Sequence, residues 1–462
     1  MIWRAVFAAV ALTTGAARAD EDSDLARIPP AATAPAPAET APPPLTGTYY
    51  AQDDLASYSV RSALAVPLPP APSPSWEERL FLDARVQWRL SDSLSFHYSG
   101  HLDLRAEDAL AFPSRENIRH DLREAYLEWD TGTGLDFEAG RINLKSGVAL
   151  GFNPTDYFKT RAVVEPISAD PSVLREDRLG TAVILGQGVW NGFALTVAFA
   201  PKIAAPSAPY ANGDLPSVDP MFDRTNARTR FLAKASLRLA DDLAPEFLVY
   251  AEGGTTQFGF DLTRAFGKSI VGYLEWSGGE RRSLVGDALA SGIATNALPP
   301  AAAAILPHDD TRRFRNDLAL GASYATEDEL SFNLEYHYHQ AGFSDADWRG
   351  WFATGTSGGD AIRGALWFIR GYASDRQEPV ARNGVFLRAA WDDAIVHDLS
   401  LNGFVLADAR DGSGLAQLDA DYILSRTWQI GGLVDLTFGA RRSDFGSIPE
   451  AANFMVRVSH YF

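Results

Sequence analysis

Charged and histidine side chains recur at every second or fourth position in several segments of the sequence. Arg85 and Arg89 share this spacing in one segment, and Glu335 and His337 share it in another. Side chains at positions i and i+2 of an extended strand point to the same side. Rows of this kind can line a water-filled passage and favour ions of one sign, and histidines in such rows are also possible metal ligands.

A metal site is the less favoured interpretation of the histidines. His97 and His101, and likewise His337 and His339, share a face, but no cysteine or adjacent carboxylate cluster completes a tetrahedral ligand set. The G-x-S-x-G pattern of a nucleophile elbow does not occur as a strand-to-helix motif. We therefore predict no metal site, no cofactor and no catalytic residues, although a Ser–His–Asp triad assembled in space stays open.

One glycine-rich segment interrupts the alternation. Residues 140–147 read Gly-Arg-Ile-Asn-Leu-Lys-Ser-Gly, and 153–156 read Asn-Pro-Thr-Asp, which initiates a turn. The connection 145–174 that contains this segment either folds inward and narrows a passage or forms an ordinary external loop. If it folds inward, Lys145, Asn153 and Asp156 are the candidate constriction residues.

The elements that carry these residues are strands. Apolar and polar residues alternate strictly over 79–90, 94–105, 330–339 and 428–438, which predicts a sheet with one apolar and one polar face. These segments run to roughly ten to thirteen residues, longer than the usual strand of about five to six residues in soluble proteins and suited to crossing a bilayer at a tilt. Backbone groups of strands are all paired in lipid only when the sheet closes, so we predict a transmembrane antiparallel β-barrel.

The connections between strands alternate in length. Short turns are predicted at 91–93, 131–134, 187–189, 241–242, 267–268, 326–328, 393–396 and 426–427, and the main long connections at 107–118, 145–174, 201–225, 279–311 and 341–381. Counting back from a last strand that ends in the periplasm, the strand 79–90 must start outside the cell. An exported N-terminus that stays in the periplasm therefore requires one more strand before residue 79, and 47–66 is the candidate. The total is about 18 strands, or 16 if 256–266 is not a strand, within the even-numbered range of bacterial barrels.

The ends of the chain predict export. Residues 1–19 have the charge, apolar core and small-x-small site of a signal peptide. Residues 20–75 are rich in proline and alanine and predict a disordered periplasmic tail that could hold the first strand, so that the barrel would occupy 76–462. The final strand alternates and stops on Phe462.

Composition excludes several other classes. The net charge of −18 argues against nucleic acid as a partner, and the absence of cysteine excludes disulfides and thiolate chemistry. A mean hydropathy of −0.12 does not suit a bundle of apolar membrane helices.

The terminal strand ending in Phe462 resembles that of Gram-negative outer-membrane β-barrel channels, and the Gly-Arg…Gly…Asn-Pro-x-Asp stretch is locally similar to alginate-export-like barrels. The resemblance implies the cell outer membrane as location, with membrane lipid as a partner. It also implies that assembly machinery reads the strand at Phe462, and residues 20–75 could bind periplasmic proteins.

A barrel of this size encloses water. The leading functional hypothesis is therefore passive diffusion of small hydrophilic solutes. The alternatives are an export conduit for an anionic polymer such as an exopolysaccharide, and, more remotely, an outer-membrane enzyme. The predicted pore-lining residues are Arg85, Arg89, Arg105, Lys234, Arg238, Arg388, Glu335 and His337.

Overall fold

The computed structural model describes residues 44–68, 74–108, 118–164, 168–207, 219–240 and 242–462. The predicted signal peptide and residues 20–43 of the predicted tail lie outside the described residues.

In the described ranges, eighteen antiparallel strands form one closed sheet. Each strand pairs with its neighbours in the sequence, and the last pairs back with the first, so that Tyr50 lies opposite Tyr461. The predicted barrel of about 18 strands is confirmed. The strands are β1 (Leu45–Val60), β2 (Trp76–Arg89), β3 (Leu94–Glu107), β4 (Ile118–Asp130), β5 (Leu135–Ile142), β6 (Thr181–Trp190), β7 (Phe193–Ala200), β8 (Arg230–Leu237), β9 (Glu246–Glu252), β10 (Thr255–Phe266), β11 (Ile270–Arg281), β12 (Arg313–Ala325), β13 (Leu330–His339), β14 (Asn383–Trp391), β15 (Leu399–Asp408), β16 (Gly414–Ile423), β17 (Trp428–Phe438) and β18 (Glu450–Tyr461).

The barrel begins earlier in the chain than residue 76. Strand β1 starts beside Phe462 and ends at Val60, at the opposite end of the barrel, where it pairs with Glu450. Residues 61–75 therefore connect β1 to β2, and the described part of this connection leaves β1 at the end away from Phe462. The limits of a periplasmic tail stay a prediction.

The two faces of the strands have opposite character. On β2, Leu82 and Trp88 point outward and are exposed, whereas Arg79 and Asp83 point inward and are buried. Exposed apolar side chains around a polar interior invert the arrangement of a soluble protein and suit a barrel surrounded by lipid.

The connections divide into a turn end and a loop end. At the turn end, next to Phe462, one predicted turn is displaced: β6 continues through 187–189, and the chain reverses at Asn191 and Gly192. Gly192 adopts a φ of +78°, which glycine accepts without strain and which fixes the turn there. The segment 256–266, without which the predicted count would be 16, is present as strand β10.

The loop end carries a helical cap built from the long connections. Three of its helices share an apolar core that contains Trp351, Leu366 and Val66. None of the helices in the described ranges is long and apolar enough to cross a membrane. The helices are α1 (Pro171–Glu176), α2 (Phe222–Thr225), α3 (Leu284–Ala294), α4 (Asp345–Ser357) and α5 (Asp360–Asp375), and the 3-10 turns are Pro300–Ala304 and Phe445–Ser447.

A buried arginine ties the cap to the barrel rim. The Arg370 guanidinium on α5 lies 5.5 Å from the ring centre of Trp351 and donates to Asp444 Oδ1 at 2.7 Å. Since Asp444 belongs to the connection between β17 and β18, this pair holds α5 across the loop end of the barrel.

Candidate pore constriction

The described residues of the connection between β5 and β6, 143–164 and 168–180, fold into the barrel, and we call them the inner loop. Glu275, on the inner face of β11, is its first anchor and is fully buried. The Glu275 carboxylate accepts hydrogen bonds from the backbone N–H groups of Val148, Ala149 and Thr155 at 2.9, 3.0 and 2.7 Å, and from the Thr155 hydroxyl at 2.9 Å. Four donors around one carboxylate fix this part of the loop against the wall.

Glu335, on the inner face of β13, is the second anchor. Its carboxylate accepts the backbone N–H groups of Leu150 and Gly151 at 2.6 and 2.9 Å. The Tyr273 hydroxyl and His337 Nε2 also lie within hydrogen-bonding distance, at 2.7 and 2.6 Å. Two predicted pore-lining residues, Glu335 and His337, thus lie beneath the inner loop, and both are almost completely buried.

The far end of the inner loop binds a third section of the wall. Gln417 on β16 accepts the backbone N–H of Ala169 at 3.0 Å. Asp170 accepts a hydrogen bond from Asn402 on β15 at 2.6 Å and lies 3.8 Å from the guanidinium of Arg388 on β14. The inner loop therefore spans the lumen from β5 and β6 to the opposite strands.

A buried ion pair holds the root of the inner loop. Arg178 donates to Asp156 through both terminal nitrogens, at 2.7 and 3.2 Å, and also to the side chain of Asn143. Of the predicted constriction residues, Asp156 is thus buried within the loop, while Lys145 forms a partly exposed pair with Glu176.

The third predicted constriction residue, Asn153, is also buried inside the loop. Its backbone oxygen accepts a hydrogen bond from Lys159 Nζ at 2.5 Å, and the same ammonium lies 4.6 Å from the ring centre of Phe152. Burial lowers the pKa of Lys159. Asn153 and Asp156 therefore shape the loop from within.

The inner surface of β2 and β3 carries three of the predicted pore-lining arginines. Arg85 is half-exposed, with its guanidinium 3.8 Å from Asp83. Arg105 lies 3.8 Å from Glu77, and Arg89 shares the inward spacing of Arg85 near the turn end. Of the three, Arg85 offers the most accessible positive charge to the lumen.

The remaining predicted pore-lining residues occupy different positions. Lys234 on β8 pairs with Glu246 on β9 at 3.5 Å, and Arg388 donates to Asn402 at 2.9 Å beside the inner loop. Arg238 lies directly after the end of β8, in the connection to β9. The eight predicted residues are therefore spread along the barrel and do not meet at one point.

A cavity of about 240 Å³ separates the inner loop from the wall formed by β1, β2, β17 and β18. We call it the acidic cavity, because it is lined by Asp54, Glu77, Asp435 and Glu450, with Arg79 as the basic residue among its lining. None of these five was a predicted site residue. Their inward spacing in each strand was the available signal, but their meeting depends on the register of non-neighbouring segments.

The histidine pairs contact carboxylates. His97 Nε2 lies 2.7 Å from Glu128 Oε2, and His101 Nε2 lies 3.1 Å from Asp121 Oδ2. His339 Nδ1 lies 2.8 Å from Asp317 Oδ1. Each histidine is thus part of an inward polar pair.

Comparison with known proteins finds similarity in structure alone. No protein-family model and no curated protein matches the sequence. Among solved structures, Pseudomonas aeruginosa OccK8 (OprE) has a TM-score of 0.52 at 12% identity, with 90% of this chain and 98% of that chain covered. P. aeruginosa OccK5 (OpdH) has a TM-score of 0.51 at 8% identity, covering 90% and 98%. Acinetobacter baumannii OccAB1 has a TM-score of 0.51 at 8% identity, covering 90% and 96%.

At these identities the likeness shows a common fold, which spans nearly the whole of each protein. The shared fold and the apolar outer face of the strands agree with the predicted β-barrel surrounded by lipid.

Proposed function

We propose that the protein is an outer-membrane channel through which small hydrophilic solutes diffuse passively. The observation that carries the proposal is the inner loop: a polar lumen is crossed by a segment anchored at Glu275, Glu335 and Gln417. A loop held at three sites narrows the passage without closing the barrel, and solutes are then selected by size and by contacts with the remaining polar wall. The fold shared with the Occ proteins supports the same proposal.

Purified protein in planar bilayers tests this function directly. We expect stepwise single-channel currents in potassium chloride, and swelling of protein-containing liposomes in small sugars or amino acids but not in large oligosaccharides. A folded barrel, recognised by its heat-modifiable electrophoretic mobility, that produced neither current nor swelling would refute a diffusion channel.

The alternatives receive less support. Export of an anionic polymer requires a basic lining at the narrowest point, whereas the acidic cavity beside the inner loop brings together four carboxylates and one arginine. No observation on the described residues specifically favours an enzyme. We therefore propose a channel without catalytic activity.

Two partner proposals concern the ends of the chain. We propose that the assembly machinery reads strand β18 with its terminal Phe462, whose backbone N–H already donates to Tyr49 O at 3.0 Å in the closed barrel. A variant ending at Tyr461 should accumulate as unassembled protein in the periplasm. Periplasmic proteins binding residues 20–43 are a separate proposal, tested by pull-down with full-length protein and with a variant that lacks those residues.

A further inference from the structure

The acidic cavity lies beside the inner loop, where Ser168 and Ala169 face strands β1, β2, β17 and β18 across a space of about 240 Å³. This volume corresponds to roughly eight water molecules at about 30 Å³ each. It is large enough for the polar end of a small solute. The inference below rests on the proposed function, because it concerns a solute that passes through the channel.

Part of the charge in the acidic cavity is already compensated. Arg79 donates to Asp103 at 2.7 Å and lies 3.5 Å from Glu77. Arg457 lies 3.8 Å from Asp54. These groups form ion pairs along the wall and do not require a ligand.

Among the residues that the structure describes, Asp435 and Glu450, in contrast to Glu77 and Asp54, lack a positively charged partner. Asp435 is 8% exposed, and its Oδ1 atom has no hydrogen-bond partner. No lysine, arginine or histidine side chain in the described ranges forms an ion pair with Asp435 or Glu450, which both line the cavity. A buried carboxylate without a cation is costly, so this wall is electrostatically incomplete.

Two hydrogen-bond acceptors in the same wall also lack donors within the described part of the chain. Asn453 Oδ1, in the lining of the same cavity, also has no hydrogen-bond partner among these residues. Asp435 Oδ1 and Asn453 Oδ1 are both acceptors, so these two atoms require donors. A primary ammonium group carries three N–H donors, a positive charge and no acceptor.

We propose that the acidic cavity is a binding subsite for the ammonium group of a small organic cation on its way through the channel. The ammonium contacts Asp435 and Glu450, and its alkyl part lies toward Ala56 and Met455, which line the same space. A solute passing the inner loop at Ser168 and Ala169 meets this subsite at the narrowed level of the lumen.

The test measures selectivity for n-butylammonium. Reversal potentials in an n-butylammonium chloride gradient give the permeability ratio of this cation to chloride for the wild type, for Asp435→Asn, for Glu450→Gln and for the double variant. Asp92→Asn removes one negative charge from an exposed turn and is the matched control. Both cavity substitutions keep the side-chain size, and Glu450 is the less buried of the two positions.

Each cavity substitution should lower the permeability ratio about fivefold, the factor expected for losing one contact ion pair in a water-like dielectric. The double variant should lower it further, and Asp92→Asn should leave it unchanged. A conducting wild type whose ratio is the same in Asp435→Asn and Glu450→Gln refutes the subsite but leaves the channel intact. A wild type without any conductance refutes the channel, and the subsite with it.

Discussion

Removing the charge of Glu275 should release the inner loop from the barrel wall. In Glu275→Gln the side chain keeps its size but has one acceptor oxygen in place of two, and its amide N–H₂ faces backbone donors. Val148 and Ala149 donate to Oε2 and Thr155 donates to Oε1, so an amide nitrogen at the Oε2 position loses two of the four hydrogen bonds.

The free energy with which the wall holds this part of the inner loop can be estimated from those hydrogen bonds. A hydrogen bond to a charged group contributes about 1.5–3 kcal/mol, so two lost bonds weaken the attachment by about 3 kcal/mol at the lower figure. The lower figure applies because a neutral amide is also less costly to bury than a carboxylate. About 3 kcal/mol raises the detached population of this part of the loop more than about 100-fold.

Single-channel recording measures this release. We expect Glu275→Gln to show larger conductance with frequent fluctuations, and the double variant with Glu335→Gln to show a stronger effect. Glu128→Gln is the matched control, since Glu128 faces the lumen and contacts His97 at 2.7 Å rather than the inner loop. Wild-type conductance and noise in a folded Glu275→Gln barrel would show that this carboxylate does not hold the loop.

The φ of Gly147 is +84°, and a Cβ at this position would lie 2.5 Å from Glu275 Oε1. We therefore expect Gly147→Ala to increase the current fluctuations in the same recordings. Fluctuations at the wild-type level would contradict the close packing. Replacing Arg178 with methionine strands its buried carboxylate partner at a cost of about 3–5 kcal/mol. Thermal melts followed by circular dichroism should shift downward for Arg178→Met and hardly at all for Arg85→Met, whose site is half-exposed. Burial raises the pKa of Asp444 from 3.8 to about 6, so the folded protein binds this proton more tightly than the unfolded chain. The contribution of Asp444 to stability should be greatest below its unfolded pKa of 3.8 and should be lost as the pH rises through about 6. Thermal melts across this range should therefore show a smaller fall in Asp444→Asn than in the wild type.

Most of the fold could be predicted from the alternation of apolar and polar side chains. Leu82 and Trp88 against Asp83 and Arg85 define two faces without any knowledge of the barrel. The first strand followed from parity, because a chain that ends at Phe462 on one side must begin its strands on the same side. The parity of the strands could not give the residue at which the barrel begins. The connection 61–75 is rich in proline, as linkers are, yet it joins two strands of the barrel.

The inner surface of β8 and β9 could not be predicted from the same rule. Leu232, Leu248 and Tyr250 point inward although they are apolar, because Tyr157 and Phe158 of the inner loop pack on them. An apolar patch inside a polar lumen makes sense only once the loop is seen to cover it. The residues of the acidic cavity could not be predicted for a similar reason. These carboxylates are remote in sequence, and only the strand order brings β1, β2, β17 and β18 together.

The seam between β1 and β18 has a consequence for the order of folding. Ser459 Oγ donates to Gln52 Oε1 at 3.2 Å across a sequence separation of 407 residues. Every other pair of adjacent strands is consecutive in the chain, so each can form as a local hairpin, whereas this pair has to await nearly the entire polypeptide. Contacts of such long range form slowly because the loop they close is so large. Until β1 and β18 pair, the folding intermediate has two unpaired strand edges that can pair with other chains. The longer this intermediate persists, the more it can aggregate.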